Sequence, residues 1–196
     1  MDNKKTIIVS VAAIIALILI TAGATFAFFS AQITGIESAS TLSLSGATLT
    51  INYSEGTGVI SVSNIYPRGS ASSPKEADAW ITKTINLVGK NTSDKNMPYT
   101  LGFHVDTNGF GSYLTYTLTN TAVANGTAAT GNLSGTIGAA NSNISFTGGK
   151  FTNTGNSTAT HTYVFRIFFF DSGSAQNDAQ GKSFTGHFTL SSSQLN

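Results

Sequence analysis

Hydrophobic and polar residues alternate with a period of two along most of the chain beyond residue 40. Such alternation is typical of β-strands with one buried face, and turns rich in Gly and Asn separate the alternating segments. The segments are 42–44, 49–53, 60–62, 81–87, 99–105, 114–118, 144–146, 163–169 and 184–190. No stretch beyond residue 30 has the 3.6-residue period of an amphipathic helix. The pattern therefore predicts an all-β fold of about eight or nine strands.

Short strands at regular spacing favour two packed antiparallel sheets, and a jelly-roll-like sandwich over residues 41–196 is the leading option. Two places are less regular. The alternation changes phase between Leu44 and Leu49, and Gly46 at that point predicts a β-bulge. Residues 120–142 are rich in Ala, Gly, Asn and Thr, and we expect a long loop there with at most one short strand.

The N-terminus has the composition of an export signal. Lys4 and Lys5 precede an uncharged stretch from residue 6 to residue 29 that is apolar at its centre. A stretch of this length is also long enough to span a bilayer as a permanent anchor. In both cases the rest of the chain lies outside the cytoplasm, and it contacts the membrane only through this segment.

Small residues at the end of the apolar stretch favour cleavage by signal peptidase over permanent anchoring. Removal of residues 1–27 places the cut between Ala27 and Phe28. A cut between Ala24 and Thr25 is the alternative. We expect the mature protein to be extracellular, at the cell surface or in a biofilm matrix.

The composition excludes several classes of function. Charged residues make up 10% of the chain, far below the roughly 25% of an ordinary soluble domain. Beyond the signal the basic and acidic residues are equal in number, and a neutral chain without clustered positive charge does not suit nucleic acid. Cysteine is absent, which excludes disulfides, thiol catalysis and thiolate metal sites.

The polar residues form no recognisable catalytic or metal-binding motif. His104, His161 and His187 are far apart in the sequence, and we expect them to be solvated surface residues without a metal ion. The sequence lacks a GxSxG motif, a P-loop and a GxGxxG turn. We therefore predict neither an enzyme nor a cofactor site.

Two other features have plain structural interpretations. The loop 171–181 begins with an acidic residue like a calcium-binding loop, but Gly173 and Ala175 stand where oxygen ligands are needed. We expect a hairpin loop there. Trp80 is the one tryptophan of the chain, and we expect it to fill a core or interface position rather than to bind a sugar.

Six Asn-X-Ser/Thr sequons are candidates for glycosylation. They are Asn52, Asn91, Asn125, Asn132, Asn143 and Asn156. In a chain so rich in Asn, Ser and Thr several sequons arise by chance, and unmodified surface amides are the simpler interpretation.

The N-terminal quarter of the chain resembles the TasA/camelysin family of exported biofilm-matrix proteins, and the resemblance extends to about residue 105. Residues 23–30, GATFAFFS, are similar to the family's signature around its cleavage site. Residues 60–69, ISVSNIYPRG, which come after the Ser43-Leu44 strand, are similar to its strand ending in Leu-x-Pro-Gly. Residues 82–87 and the Asn-Thr-Ser at 91–93 are similar to its next strand and Asn-rich turn.

The resemblance implies a jelly-roll sandwich and a mature N-terminus near Phe28. It also implies fibres, as in similar archaeal bundling pili, in which the N-terminal segment of one subunit inserts as a strand into the next. The main partner would be further copies of the chain, and an anchoring or initiating accessory protein is a second candidate. The protease activity described for camelysin is not expected, because the sequence has no zinc motif.

We expect residues 28–40 to be the donor segment. An unpaired strand edge is a template for another chain, and an extended segment satisfies it with backbone hydrogen bonds and alternate apolar side chains. The donor side chains are predicted to be Phe29, Ile33 and Ile36, or Leu42 and Leu44 if the strand lies further along. A head-to-tail contact of this kind propagates into a filament.

Two other functions compete with the fibre subunit. A membrane-anchored monomeric adhesin or glycan-binding sandwich would keep its N-terminus and would expose aromatic residues near residues 120–142. A secreted hydrolase would need a catalytic constellation, which the sequence does not suggest.

Overall fold

The computed structural model describes residues 12–15, 31–34, 39–44, 47–53, 56–91, 96–152 and 158–192. Within these residues the chain is almost entirely β, as the alternation predicts. The strands are β1 (Ala31–Thr34), β2 (Ala39–Leu44), β3 (Ala47–Tyr53), β4 (Val59–Ser63), β5 (Ala79–Asn91), β6 (Met97–Asn108), β7 (Leu114–Ala124), β8 (Gly126–Thr127), β9 (Ser134–Thr136), β10 (Ser142–Phe151), β11 (Thr158–Phe169) and β12 (Ser183–Ser192). Single 3-10 turns occur at Glu76–Asp78, Gly111–Tyr113 and Asn177–Ala179.

The strands form two antiparallel six-stranded sheets. Sheet A has the order β1-β12-β6-β10-β8, and β4 also pairs with β12. Sheet B has the order β2-β3-β5-β11-β7-β9. The prediction of an all-β fold with two antiparallel sheets is confirmed. The strands beyond the nine alternating segments are β1, β8 and β9, which are too short to show a period.

The two sheets face each other across one hydrophobic core. The ring centroid of Phe165 in sheet B lies 4.9 Å from that of Phe103 and 5.2 Å from that of Phe188, both in sheet A. All three side chains are fully buried. Burial of each contributes about 1.5–3 kcal/mol, and well-placed aromatic pairs add about 0.5–1.5 kcal/mol. The alternating residues of β6, β11 and β12 thus hold the sheets together.

β2 and β3 form a hairpin, so the bulge predicted at Gly46 is wrong. Leu44 at the end of β2 pairs with Ala47 at the beginning of β3, which leaves two residues for the connection. Two-residue connections are the commonest in antiparallel hairpins. The alternation changes phase there because the chain reverses direction.

Residues 120–142 contain more strand than the predicted loop with at most one strand. β7 continues to Ala124, which pairs with Thr160 of β11, and both β8 and β9 fall inside the stretch. Pairing with a neighbouring strand needs only backbone groups, so residues without hydrophobic alternation continue the ladder.

The connection 171–181 is not the predicted hairpin loop. It begins after β11, which lies in sheet B, and leads to β12, which lies in sheet A. The two strands read as neighbours in the sequence, but each pairs with other strands. Sheet membership depends on distant partners, which local turn signals do not reveal.

The predicted signal lies mostly outside the described residues. Residues 12–15 are helical, and Ile14 and Ile15 are exposed. Among the residues that the structure describes, no helix has the length and apolar character needed to cross a membrane. Both predicted cleavage sites, Ala27-Phe28 and Ala24-Thr25, fall outside the described part of the chain.

Candidate functional site

The outer edge of β12 is shared by two strands from different parts of the chain. The inner edge of β12 pairs with β6. On the outer edge, β4 pairs with residues 183–187 and β1 pairs with residues 189–192. Between the two strands, the Phe188 N–H donates to the Gly58 carbonyl oxygen at 3.1 Å. We call the outer edge of residues 189–192 the slot.

β1 lies in the slot in antiparallel register. Ala31 is opposite Ser192, and Thr34 is opposite Thr189. Residues 35–38 then connect β1 to β2, which belongs to sheet B. β1 is therefore a short strand at the edge of sheet A, and the next strand along the chain, β2, belongs to sheet B.

On the core side of the slot the side chains are buried, and the polar one among them has a hydrogen-bond partner. Leu190 is fully buried and Ser192 is 3% exposed. The Ser192 hydroxyl donates to the Pro98 carbonyl oxygen at 2.7 Å, so a buried polar group has its partner. Without a strand in the slot, the outer backbone groups of residues 189–192 would be unpaired beside a hydrophobic core, which is a template for strand addition.

The structure places one predicted donor residue at the slot. Ile33 lies in β1, and its register partner is the buried Leu190. The other two predicted donor residues, Phe29 and Ile36, lie outside the described residues.

The alternative donor residues are in a different place. Leu42 and Leu44 lie in β2, where they are opposite Leu49 and Ala47 of β3. They therefore belong to the edge hairpin of sheet B and not to the β12 edge. Of the two donor positions considered, the one around Ile33 is the one that pairs with β12.

The opposite margin of sheet A is covered by the two-residue strand β8 and by the loop that follows it. The N–H groups of Thr130 and Gly131 donate to the Thr147 carbonyl oxygen of β10, at 2.9 and 3.2 Å. The Asn132 side-chain amide donates to the Ser145 carbonyl oxygen at 2.9 Å. These bonds occupy carbonyl groups that a further strand would need, so this margin is blunted in the way that natural edge strands commonly are.

Two of the three histidines converge on the outer face of sheet A. The rings of His104 and His187 are 5.1 Å apart, because β6 and β12 place the two residues directly opposite each other. His187 Nδ1 lies 3.0 Å from Asp106 Oδ2, and His104 Nδ1 lies 2.8 Å from Asn143 Oδ1. The side chain of His104 is 26% exposed and that of His187 is 18% exposed. Both are therefore more buried than the solvated surface residues that were predicted.

Within the described part of the chain, no group of three or more His, Cys, Asp or Glu residues has the geometry to hold a metal ion. The pair on sheet A is instead satisfied by neighbouring side chains. No sequence pattern indicates this convergence, because the two histidines are 83 positions apart and their strands pair only in the folded sheet.

The prediction that His161 is solvated is wrong. Its side chain is fully buried between the sheets, and its ring lies 4.4 Å from that of Phe151. Burial lowers the pKa of His161 to about 4 because the charged form loses its hydration. The residue is neutral at pH 7.

A chain of hydrogen bonds connects His161 to two tyrosines. The Ala129 N–H donates to the Tyr163 hydroxyl at 2.8 Å, the two hydroxyls of Tyr163 and Tyr99 are 2.6 Å apart, and Tyr99 lies 2.5 Å from His161 Nδ1. Both hydroxyls can donate and accept, so Ala129, the two tyrosines and the imidazole form one buried network. The Nε2 atom is buried without a partner among the described residues.

Three sequon asparagines use their side chains within the fold. They are Asn125, Asn132 and Asn143. Asn125 and Asn132 each have a φ of 60°, a left-handed conformation that asparagine tolerates well in turns. Asn52 is half-buried in β3, whereas Asn156 and the side chain of Asn91 lie outside the described residues.

Trp80 packs against the margin of the core, in keeping with the predicted plug. Its indole Nε1–H donates to the Tyr66 carbonyl oxygen at 3.1 Å, and the Arg68 guanidinium lies 3.9 Å from the ring centroid. Tyr66 packs edge-on against the indole at 5.0 Å and is 63% exposed. Tyr66 thus presents an exposed aromatic ring in the segment 64–68, which follows β4.

The exposed aromatics that the adhesin interpretation expects near residues 120–142 are not there. The sequence of that stretch contains no aromatic residue. Tyr116 and Phe146, which flank it, are both buried.

No protein-family model matches the chain, and no curated protein matches it. Among solved structures, a GH26-CBM35 β-(1,4)-mannanase from Podospora anserina is 11% identical, with a TM-score of 0.29, and the alignment covers 86% of this chain and 28% of the mannanase. A functionally unknown protein from Listeria monocytogenes EGD-e is 16% identical, with a TM-score of 0.26, over 80% of this chain and 74% of that protein. At these TM-scores neither similarity bears on the fold or the function.

Proposed function

We propose that this protein is a structural subunit of an extracellular fibre or biofilm matrix, and that subunits polymerise when residues 28–40 of one copy enter the slot of the next. The observation that carries the proposal is the position of β1. It pairs with β12 in the slot, next to the part of the same edge that pairs with β4. Four residues join it to β2 of sheet B. Such a strand can be replaced by the same strand from another copy.

Exchange of β1 keeps the pairing that the single chain already has. A neighbour's strand in the slot makes the same backbone hydrogen bonds to residues 189–192 and brings the same residue opposite Leu190. The gain and loss of contacts nearly cancel, which makes strand exchange a low-cost route to association. When a copy donates its strand to one neighbour and accepts a strand from another, the contact is head-to-tail, and the chain of subunits grows.

The remaining expectations fit the same function. A jelly-roll connection of the two sheets would leave the β12 edge available to a donor. Removal of residues 1–27 would free the segment that starts at Phe28, directly before β1. The small number of charged residues, 10% of the chain, leaves little repulsion between copies. Absence of cysteine means that durability comes from assembly and not from disulfides.

A pair of cysteines reports where β1 is bound. Thr34 and Thr189 are register partners across β1 and β12, and the chain has no native cysteine. We expect Thr34→Cys/Thr189→Cys, oxidised as dilute monomer, to form an internal disulfide and to give no filaments by electron microscopy. The same variant, first assembled and then oxidised, should give a ladder of covalent oligomers on a non-reducing gel.

The matched control is Ser63→Cys/Ser183→Cys, a register pair on the same edge between β4 and β12. It should form an internal disulfide before and after assembly and should still give filaments. Filaments that yield no covalent ladder from the Thr34/Thr189 pair would contradict strand exchange. A protein that remains monomeric and keeps residues 1–27 would instead favour the anchored adhesin.

A further inference from the structure

A pocket lies between residues 64–68, which follow β4, and the connection 171–181. Its volume is 300 Å³, at the lower end of the range of about 300–1,000 Å³ for small-molecule sites. Tyr66 and Pro67 line one side, and polar residues of the connection line the other. The pocket is at the Ser183 end of β12, whereas the slot is at the Ser192 end. It is therefore separate from the proposed polymerisation site.

The aromatic wall of the pocket is held in place before any ligand arrives. Tyr66 packs edge-on against Trp80, and the Trp80 indole donates to the Tyr66 carbonyl oxygen. Arg68 covers the indole and donates from Nε to the Asp78 carbonyl oxygen at 3.0 Å. The Arg68 N–H also donates to the Phe169 carbonyl oxygen at 2.9 Å. A large, exposed ring with fixed support loses little conformational entropy when it binds a ligand.

The polar wall is held by one buried amide. The Gln176 side chain is 9% exposed; it accepts from the Ser172 N–H at 3.1 Å and donates to the Phe170 carbonyl oxygen at 3.2 Å. This positions Asn177 and Gln180, which also line the pocket. Their exposed side-chain amides make no hydrogen bond to the described residues, so both donors and acceptors are available for a ligand.

The charge of the pocket selects against anionic ligands. Asp171 lines it, and one carboxylate oxygen accepts from the Gly173 N–H at 2.8 Å. Among the described residues, no Lys or Arg side chain lines the pocket. A carboxylate, two amides and an exposed ring suit a molecule with several hydroxyls and an apolar C–H face, which packs against the electron-rich face of an aromatic ring.

We infer that this pocket binds a neutral saccharide of one or two sugar units, which stacks on Tyr66 and forms hydrogen bonds with Asp171, Asn177 and Gln180. The inference does not depend on polymerisation, since the pocket and the slot lie at opposite ends of β12. It gives the protein a ligand at a site that the sequence did not indicate, because the two walls are more than 100 residues apart in the chain.

Trp80 provides a direct readout, because it is the one tryptophan and it touches Tyr66. The full chain would be titrated with glucose, galactose, mannose, N-acetylglucosamine and their β-linked disaccharides, with Trp80 fluorescence as the signal and calorimetry as confirmation. We expect a saturable change for at least one of these sugars. Glucuronic acid, an anionic probe of similar size, should bind at least about tenfold more weakly.

Three variants separate the site from unspecific effects. Tyr66→Ala should weaken binding about tenfold or more, and Asn177→Ala/Gln180→Ala should do the same without touching the aromatic cluster. Val123→Ala, a second exposed apolar position outside the pocket, should bind like the parent. If Tyr66→Ala unfolds, the amide double variant decides by calorimetry. No saturable binding of any neutral sugar, unchanged binding in the amide double variant, or preference for glucuronic acid would overturn the inference.

Discussion

The Tyr99 hydroxyl and Nδ1 of His161 are joined by a hydrogen bond across the core, and this bond links the two sheets. Tyr99 belongs to β6 of sheet A and His161 to β11 of sheet B. The pair lies under a third ring, since Phe151 packs against both residues. Protonation of the imidazole would place a charge in the apolar interior, which makes the junction sensitive to pH.

We expect the protein to lose stability as the pH falls from about 6.5 to about 4. Burial lowers the pKa of His161 from 6.5 to about 4, so in this window the unfolded chain binds the proton more readily than the folded one. The loss should approach roughly 3 kcal/mol at the lower limit. Urea denaturation at pH 7, 5.5 and 4 measures it.

The variant His161→Gln keeps a hydrogen-bond acceptor but does not titrate. Its unfolding free energy should fall less than that of the parent over the same pH range. His187→Gln is the control, and it should retain the contribution of His161. Equal pH dependence in the parent and in His161→Gln would show that the buried imidazole is not responsible.

Substitution of Gly149 should displace the same tyrosine. A Cβ atom on Gly149 would lie 2.4 Å from carbons of the Tyr99 ring, and that ring is held by its hydrogen bonds to His161 and Tyr163. We expect Gly149→Ala to cost about 1–3 kcal/mol, as overpacking commonly does. Thermal or urea denaturation measures the loss.

Two companions identify the cause. Thr147→Ala, at an exposed position of the same strand, should be nearly neutral. The double variant Gly149→Ala/Tyr99→Leu should lose less unfolding free energy than the sum of the losses of the two single variants, because the smaller side chain removes the clash. Strict additivity of the two changes would argue against contact with Tyr99 as the reason.

Removal of residues 28–38 should leave a soluble monomer with an empty slot. The cut precedes β2 at Ala39, so both sheets of the main domain remain. We expect no filaments from this truncated protein, because no donor strand is present. A synthetic peptide of residues 28–38 should bind it and shift the amide NMR signals of residues 189–192.

The same peptide with Ile33→Pro is the control. Proline removes an N–H group and fixes φ, so it is not tolerated within a paired strand, and this peptide should bind far more weakly. Filaments formed by the truncated protein, or amide shifts centred elsewhere than on residues 189–192, would be inconsistent with the proposed donor strand.

The strands with strong alternation, and the faces of them that are buried, could be predicted from the sequence. β6, β11 and β12 carry apolar residues at most of their alternate positions, and the structure buries those positions. The burial of His161 could also have been predicted from the alternation. It precedes Tyr163 by two residues, so it shares the face of Tyr163 and Phe165, but its polar character suggested the surface instead.

The features that depend on distant partners could not be predicted. The pairing of Ala31 with Ser192 joins the first and the last of the described strands, and no local pattern specifies such a register. The same holds for the His104–His187 contact and for the pocket beside Tyr66. The sequence predicted a donor near Ile33 from the resemblance, whereas the particular edge that receives β1 came only from the fold.

The loop that covers β10 also bears on the form of any filament. Because Thr130, Gly131 and Asn132 occupy carbonyl groups of that strand, sheet A offers strand addition at one margin and not at both. Under the proposed exchange, each subunit in sheet A has one place to receive a neighbour. Filaments built this way should be unbranched, with the same mass per unit length throughout, and should not widen into ribbons through sheet A.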